Sequence, residues 1–216
     1  MEKKYIYIAF DLDGTLMNTY EGIANGLCYV AEHFGMEKPD EKMIGLFIGP
    51  PLEDTFKKHY GFDEEKTAEA VAKFREFYGP IGQNQCKPYD GIKETLQKLN
   101  DAGYKLFVAT SKLIGPAKGI VERFGLSEYF CHIEGTPLGM GDCSKADILL
   151  AAFGALNIKD KREVVLIGDT RFDAIGAAKV GIDCLGVSYG FGTKEELEEN
   201  NVFAVAESPA DILNFF

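Results

Sequence analysis

The sequence predicts an α/β protein with a Rossmann-like, doubly wound parallel sheet and an inserted all-helical cap. Short, continuously apolar segments recur along the chain, as expected for buried parallel strands. Segments with helical spacing of apolar residues lie between them, and this alternation is typical of doubly wound sheets. One long interval, residues 18–85, has several helical patterns and no convincing strand. We therefore predict a core of residues 1–17 and 86–216 and a cap of residues 18–85.

The predicted strands are rich in β-branched and aromatic residues. They are Tyr5–Phe10, Tyr104–Ala109, Val164–Ile167 and Cys184–Val187. Each is apolar over nearly its whole length, which predicts a strand that is covered on both faces. The shorter segment Cys131–Ile133 is a further candidate, at the edge of the sheet.

Core helices are predicted where apolar residues recur every three to four positions. These patterns cover residues 92–99, 120–124 and 148–156. Because they alternate with the predicted strands, the strands are expected to be parallel, with the helices as crossover connections.

The cap is predicted from the same helical spacing over residues 23–34 and 70–78. Gly49–Pro51 and Gly61 interrupt the pattern and predict breaks between helices. An interval of this length is too long for a simple crossover between two strands. We predict that the chain returns to the core through residues 79–88, which contain Gly, Pro and polar residues.

Composition excludes several classes of function. The 216 residues are enough to bury a substantial core, and the formal net charge of −11 opposes binding to a nucleic acid polymer. The five cysteines are odd in number and show no metal-binding spacing, which favours a reducing compartment. The apolar run before Asp11 is too short for a signal peptide or a membrane span. We predict a cytoplasmic protein without a membrane partner, as a monomer or a homodimer.

Two carboxylates follow the first predicted strand. Asp11 comes directly after the apolar segment and Asp13 two residues later, with Gly14 permitting a tight turn. Ligands of open α/β sheets bind at the carboxyl ends of the strands. Spacing by two lets both carboxylates face one cavity if the chain stays extended. The alternative is a pair of acids exposed on a loop, but the agreement of motif and element favours a functional site.

A second pair of carboxylates follows the predicted strand at residues 164–167. Asp169 comes two residues after this strand, and Asp173 lies one helical turn further on. If the strand neighbours the first, both acids converge with Asp11, and such a cluster of like charges requires a cation. Oxygen ligands without His or Cys favour a hard cation, Mg²⁺ before Ca²⁺. For Asp169 alone, the alternative is a helix N-cap.

Phosphate-binding candidates lie after the strand at residues 104–109 and before a predicted helix. Thr110 and Ser111 offer a hydroxyl and backbone N–H groups, which bind phosphate oxygens well. Lys145 can offset negative charge at the same site. The alternatives are plain capping for the hydroxyl and a solvated side chain for the lysine.

In this order, the segments Asp11–Thr15, Thr110, Lys145 and Asp169–Asp173 resemble the motifs of the haloacid dehalogenase superfamily. The resemblance covers essentially the whole chain. The helical insertion is similar to the cap of phosphoglycolate phosphatase-like and 5′-nucleotidase-like members. Three further segments resemble that branch: Ile48–Leu52, Pro88–Gly91 and Gly186–Gly192.

The resemblance implies a role for each of these residues. Asp11 would be the nucleophile that forms an aspartyl phosphate, and Asp13 would be the general acid and base. Asp11, the backbone carbonyl of Asp13, and Asp169 would hold Mg²⁺. Asp173 would either support the direct ligands from behind or reach the ion through water. The residues implied to bind the transferring phosphate are Gly14, Thr15, Thr110, Ser111 and Lys145, and Thr110 and Lys145 would also serve catalysis.

These roles predict a Mg²⁺-dependent phosphatase that acts on a small-molecule phosphomonoester. The acid at Asp13 favours phosphoryl transfer, because superfamily members that cleave carbon–halogen bonds lack it. The chain departs from its relatives at Asn18–Thr19, where Asp-Ser is common, and Arg171 faces either solvent or substrate. The alternatives are a phosphomutase of the same superfamily and a non-catalytic regulatory or binding protein on the same fold. The substrate stays open among phosphoglycolate, a nucleoside monophosphate and a sugar phosphate.

Overall fold

The structure, a computed structural model, describes residues 4–139 and 143–216. The chain divides into two compact units. The larger unit comprises Met1–Met17 and Pro88–Phe216, and the smaller unit comprises Asn18–Lys87.

The strands, in chain order, are β1 (Tyr7–Phe10), β2 (Met17–Asn18), β3 (Lys87–Pro88), β4 (Lys105–Leu113), β5 (Phe130–Thr136), β6 (Val164–Gly168), β7 (Asp183–Val187) and β8 (Ala204–Ala206). The helices are α1 (Tyr20–His33), α2 (Glu41–Gly45), α3 (Leu52–Tyr60), α4 (Glu64–Tyr78), α5 (Ile92–Asp101), α6 (Ile114–Arg123), α7 (Lys145–Ala155), α8 (Arg171–Val180) and α9 (Lys194–Glu199).

The larger unit is built on a parallel sheet with the strand order β5-β4-β1-β6-β7-β8. Every neighbouring pair in this order is parallel. The strand order turns back at β1, because the chain adds β4 and β5 on one side and β6, β7 and β8 on the other. The prediction of a doubly wound parallel sheet is therefore confirmed. The candidate edge strand is also confirmed, as the longer β5.

Alternate residues of the central strands pack against helices on one face of the sheet. Ala9 of β1, Phe107 of β4 and Leu166 of β6 belong to one buried cluster with residues of α7 and α8, including Leu149 and Ala177. Helix α5 packs against the final segment of the chain, where the Thr95 hydroxyl donates to the carbonyl oxygen of Pro209 at 2.9 Å. The sheet is thus buried, which explains why its strands are continuously apolar in sequence.

The smaller unit is helical and contains α1 to α4, followed by a 3₁₀ helix at Gly82–Asn84. Its core is aromatic, with Phe56 and Phe62 stacked at a centroid distance of 5.9 Å and Phe47 buried beside Phe56. Gly61 ends α3 in the left-handed conformation with φ of 65°, which glycine adopts without strain. Asp63 then begins α4 by accepting a hydrogen bond from the Lys66 N–H at 2.8 Å.

The two segments that connect the units are short strands. Strands β2 and β3 pair with each other in a two-stranded sheet. At Asn18, where relatives were expected to carry Asp, the side-chain oxygen accepts a hydrogen bond from the Tyr20 N–H at 3.2 Å. An aspartate would offer the same acceptor, so this departure leaves the start of α1 intact.

The described residues also bear on membrane association and cysteine pairing. Among them, no helix combines the length and the apolarity needed to cross a bilayer. All five cysteines lie in the described ranges, and none of them forms a disulfide.

Candidate active site

The carboxyl ends of the central strands bring the predicted acids together. Phe10 at the end of β1 is in register with Val108 of β4 on one side and Ile167 of β6 on the other. Asp11 follows Phe10, and Asp169 lies two residues beyond Ile167. Strand β6 therefore neighbours β1, as the convergence of these acids requires, and both carboxylates emerge at the same edge of the sheet.

Three buried carboxylates form the centre of the site. Asp11 is 8% exposed, Asp169 is 0% exposed and Asp173 is 1% exposed. One carboxylate oxygen from each residue lies within 4.8 Å of the other two. Like charges this close are unfavourable in a buried site unless positive charge compensates them.

Lys145 supplies part of that compensation. Its Nζ lies 2.7 Å from Asp11 Oδ1 and 2.9 Å from Asp173 Oδ1, and it also donates to the carbonyl oxygen of Ala109 at 2.9 Å. The side chain is 4% exposed, so the alternative of a solvated lysine is wrong. With all groups ionised, three carboxylates and one ammonium leave two negative charges uncompensated within this group.

The position of Lys145 is fixed by the start of α7 and by a glycine of α8. Ser144 and Asp147 form a capping box, which makes Lys145 the first helical residue. A Cβ atom at Gly176 would lie 2.6 Å from the Cβ of Lys145, closer than side-chain atoms approach. Glycine at this position lets α8 pack directly against the lysine stem.

The beginning of α8 determines the role of Asp173. Thr170 is the N-cap of this helix, so the alternative that Asp169 serves as its N-cap is wrong. Asp173 Oδ2 accepts hydrogen bonds from the Thr170 N–H at 3.1 Å and from its hydroxyl at 2.9 Å. Asp173 therefore caps α8 with one oxygen and holds Lys145 with the other. Arg171, the first residue of α8, is exposed, and its guanidinium pairs with the carboxylate of Glu196 at 3.0 Å.

Asp169 accepts a hydrogen bond on each oxygen. The Thr15 hydroxyl donates to Oδ1 at 3.1 Å, and the backbone N–H of Phe191 donates to Oδ2 at 2.8 Å. The sequence predicted Thr15 as a phosphate-binding residue, and here its hydroxyl faces Asp169. The contact with Phe191 was not predicted, because a backbone N–H leaves no trace in the residue type. The glycines at 190 and 192 were the available signal, since they let the chain approach closely.

Asp13 pairs with a lysine whose side chain was not predicted to belong to the site. Asp13 Oδ2 lies 3.0 Å from the Nζ of Lys112, and both side chains are largely buried. Asp13 Oδ1 is buried as well and has no hydrogen-bond partner within residues 4–139 and 143–216. A buried carboxylate oxygen with an unmet acceptor capacity is consistent with a site that receives a donor from a ligand.

The remaining phosphate-binding candidates lie at the same edge of the sheet. Thr110 is buried near the end of β4, and its Oγ1 accepts a hydrogen bond from the Lys112 N–H at 3.2 Å. Ser111 is exposed, and its carbonyl oxygen accepts from the Thr136 hydroxyl at 2.8 Å. Gly14 has φ of 84°, and a Cβ atom there would lie 2.0 Å from Asp169 Oδ2. Glycine is therefore required at residue 14.

Burial perturbs the proton affinity of the central groups. It raises the pKa of Asp169 well above its ordinary value, and repulsion from Asp173 and Asp11 adds to this effect. Burial also raises the pKa of Asp11, although the nearby Lys145 ammonium acts in the opposite direction. Burial alone would lower the pKa of Lys145, but Asp11 and Asp173 raise it above its ordinary value. Such perturbed groups are typical of functional sites.

The donor set fits a hard divalent cation. The three clustered acids offer only carboxylate oxygens, which suit Mg²⁺ and Ca²⁺. The uncompensated negative charge around Lys145 has the sign that a cation would balance. The residues present therefore can hold a metal ion at this edge of the sheet.

Comparison with known proteins places this arrangement in a family. The model of the haloacid dehalogenase-like hydrolases matches residues 8–187, from β1 to the end of β7. The chain belongs to this family. Membership confirms the resemblance inferred from the motifs and the prediction of a hydrolase.

Individual proteins are similar to this chain over most of its length. A 5′-nucleotidase of Pseudomonas aeruginosa is 36% identical over 194 residues, which cover 90% of this chain and 87% of the relative. The tyrosine-protein kinase PtkA of Mycobacterium tuberculosis is 32% identical over 201 residues, covering 93% and 68%. A phosphoglycolate phosphatase of Haemophilus influenzae is 28% identical over 225 residues, covering 99% of each chain. The crystal structure of a predicted phosphatase from Clostridium acetobutylicum has a TM-score of 0.92 at 38% identity, covering 98% of this chain and 100% of that one.

Proposed function

We propose that this haloacid dehalogenase-like hydrolase is a Mg²⁺-dependent phosphatase, which hydrolyses a small-molecule phosphomonoester through an aspartyl phosphate on Asp11. The observation that supports this most directly is the setting of Asp11. Its carboxylate follows the central strand β1, pairs with the buried ammonium of Lys145, and lies beside Asp169 and Asp173. A carboxylate held in this way is an oriented nucleophile.

Mg²⁺ is the proposed cofactor, held by Asp11, Asp169 and the backbone carbonyl of Asp13. When bound, the ion would offset the negative charge that otherwise keeps an anionic nucleophile from an anionic phosphate. The support for it is the cluster of three buried carboxylates, two of which contact Lys145. Asp173 completes the cluster and in addition holds Lys145 in place.

In the first proposed step, a carboxylate oxygen of Asp11 attacks phosphorus. A bond forms between this oxygen and phosphorus, and the bond from phosphorus to the ester oxygen breaks. Asp13 gives its proton to the leaving oxygen, which departs as an alcohol. Thr110, the Ser111 N–H and Lys145 bind the transferring oxygens and compensate their charge.

In the second proposed step, water hydrolyses the aspartyl phosphate. The oxygen of the water bonds to phosphorus, and Asp13, now a carboxylate, takes a proton from that water. The bond between phosphorus and the Asp11 oxygen breaks, which frees inorganic phosphate and restores the Asp11 carboxylate. The pairing of Asp13 with Lys112 at 3.0 Å supports a fixed position for the carboxylate that handles both protons.

The test is phosphate release from a panel of phosphomonoesters, measured with Mg²⁺ and with EDTA. The panel contains 2-phosphoglycolate, nucleoside monophosphates and sugar phosphates. We expect Mg²⁺-dependent release, and we expect Asp11→Asn to lower it by roughly a thousandfold or more, as loss of a nucleophile typically does. The control is Asp101→Asn, which makes the same change on the exposed end of α5.

Two results would contradict the proposal. Release by Asp11→Asn at the wild-type rate would exclude the aspartyl phosphate. Transfer of phosphate between positions of a sugar phosphate, with little free phosphate and a need for a bisphosphate activator, would instead indicate a phosphomutase.

A further inference from the structure

The loop that follows β7 lies against the proposed metal ligand Asp169. We infer that this loop, residues 188–192, is a positioning device for Asp169, held in place by the hydroxyl of Tyr189. The inference rests on the proposed function, because it concerns a residue proposed to bind Mg²⁺. It goes further by assigning an effect on Mg²⁺ affinity to residues outside the proposed set of metal ligands.

The first observation is the orientation of the Asp169 carboxylate. The Phe191 N–H donates to Oδ2 at 2.8 Å and the Thr15 hydroxyl donates to Oδ1 at 3.1 Å. One donor on each oxygen fixes the rotation of the carboxylate and leaves each oxygen a further lone pair. Hydrogen bonds of this kind orient metal ligands and strongly affect metal affinity.

The second observation is how closely the loop approaches Asp169. A Cβ atom at Gly190 would lie 2.4 Å from the Cβ of Asp169 and 2.4 Å from the carbonyl oxygen of Gly14. A Cβ atom at Gly192 would lie 2.1 Å from the carbonyl oxygen of Asp169. Neither glycine has a positive φ. Glycine is therefore needed at both positions for space, so that the Phe191 N–H can reach the carboxylate.

The third observation is the anchor of the loop. The Tyr189 hydroxyl donates to the carbonyl oxygen of Thr15 at 2.9 Å, and its ring packs edge-on against Tyr89 at a centroid distance of 4.8 Å. Thr15 thus accepts from the loop with its carbonyl and donates to Asp169 with its hydroxyl. The contacts close a ring that runs from Asp169 through Thr15 and Tyr189 to Phe191 and back to Asp169.

This closed set of contacts leads to a prediction that distinguishes a loop that orients Asp169 from a loop that only stabilises the fold. If the loop only stabilised the fold, changes in it would lower the stability of the metal-free protein and leave Mg²⁺ affinity unchanged. If it orients Asp169, the affinity for Mg²⁺ falls even where the fold remains stable. The two readouts are a Mg²⁺ titration by isothermal calorimetry without substrate and a melting curve in EDTA.

The test compares Tyr189→Phe and Gly190→Ala with the wild type and with Gly154→Ala. Tyr189→Phe keeps the ring against Tyr89 and removes only the hydroxyl, so we expect it to fold and to bind Mg²⁺ about threefold to tenfold more weakly. Gly190→Ala displaces the loop itself, and we expect a loss of roughly 10-fold to 100-fold, the range seen when partners of metal ligands are removed. Gly154→Ala is the matched control, because its Cβ would meet nothing within 4 Å.

The outcomes separate this inference from the proposed function. Weaker Mg²⁺ binding by Tyr189→Phe, with a melting temperature in EDTA close to that of the wild type, supports it. Wild-type affinity in Tyr189→Phe overturns it, whether or not the melting temperature falls, and the phosphatase proposal then stands unchanged. A wild-type protein that binds no Mg²⁺ overturns both the metal assignment of the proposed function and this inference.

Discussion

At the scale of single residues, Lys145 decides whether the buried acids tolerate one another. Its ammonium contacts both Asp11 and Asp173, and all three side chains are buried. Removing one partner of a buried ion pair is costly, because the other charge stays buried without compensation.

We therefore expect Lys145→Met to destabilise the metal-free protein by about 3 kcal/mol at pH 8. The loss of stability should be smaller at pH 5. Burial already raises the pKa of Asp11 while Lys145 lowers it, so removal of Lys145 raises that pKa further. Below its raised pKa, the Asp11 carboxyl group stays protonated and neutral in the folded state, so its burial without Lys145 costs little. Above that pKa, the group must lose a proton that the folded state binds more tightly than the unfolded state does, so the free energy of unfolding falls as the pH rises.

Urea denaturation in EDTA at both pH values measures this difference. Lys118→Met, on the exposed side of α6, is the control for loss of a charge. An equal destabilisation at pH 5 and pH 8 would mean that Lys145 acts through packing of its stem and not through its charge.

A second prediction at this scale concerns Lys112, which lies 3.0 Å from Asp13. We expect Lys112→Gln to lower kcat of phosphate release by roughly tenfold, a part of the hundredfold or more that general acid–base catalysis typically contributes. KM should change little, because the lysine positions the acid and is not proposed to bind the substrate. A rise in KM with unchanged kcat would instead assign Lys112 to substrate binding.

The sequence predicted which acids meet, but not every residue that holds them. Asp11 and Asp169 follow apolar strands, so their position at one edge of the sheet was foreseeable. The side chain of Lys112 and the N–H of Phe191 act through contacts that exist only after β4 and β7 have taken their places. Residue type and spacing alone carry no record of such contacts.

At the scale of elements, the packing of α8 against α7 depends on Gly176. The Cβ of an alanine here would lie 2.6 Å from the Cβ and 2.7 Å from the Cγ of Lys145. Glycine inside a helix normally costs about 0.5–1 kcal/mol relative to alanine. Here it avoids an overlap that would push α8 from α7 or displace Lys145.

We expect Gly176→Ala to destabilise the protein by about 1–3 kcal/mol, the usual cost of overpacking, and to lower phosphate release. Gly119→Ala in α6 is the matched control. Its Cβ would meet nothing within 4 Å, so alanine should stabilise the protein by about 0.5–1 kcal/mol. Urea denaturation and phosphate release of both variants test the pair, and a stabilised Gly176→Ala would show that the two helices can separate at no cost.

The elements that the sequence predicted well are the ones with long apolar runs. Strand β4 runs beyond the predicted end at Ala109 to Leu113, because Thr110 and Leu113 still pair with Gly135 and Thr136 of β5 across a break in register. Strand β5 itself contains His132 and Glu134, which interrupt the apolar pattern from which strands are predicted. Strand β8 was not predicted, because Ala204–Ala206 is too short to show a pattern.

At the scale of the whole molecule, acidic residues outnumber basic ones by 34 to 23. Any cation relieves repulsion in such a chain, so screening must be separated from binding at a specific site. The buried cluster of Asp11, Asp169 and Asp173 provides that distinction, because screening by salt acts mainly on exposed charges.

If Mg²⁺ binds this cluster, it stabilises the folded chain by mass action. At a concentration of 100 times Kd the gain is about 2.7 kcal/mol, and for a chain of this size each kcal/mol raises Tm by roughly 2–4 °C. We therefore expect MgCl₂ to raise Tm by about 5 °C or more, and NaCl of equal ionic strength to raise it much less. Asp169→Asn removes a proposed ligand without touching the surface charge, so it should abolish the Mg²⁺-specific part and keep the response to NaCl. Differential scanning calorimetry of both proteins in the two salts separates these parts, and an equal Mg²⁺ shift in Asp169→Asn would place the bound ion elsewhere on the acidic chain.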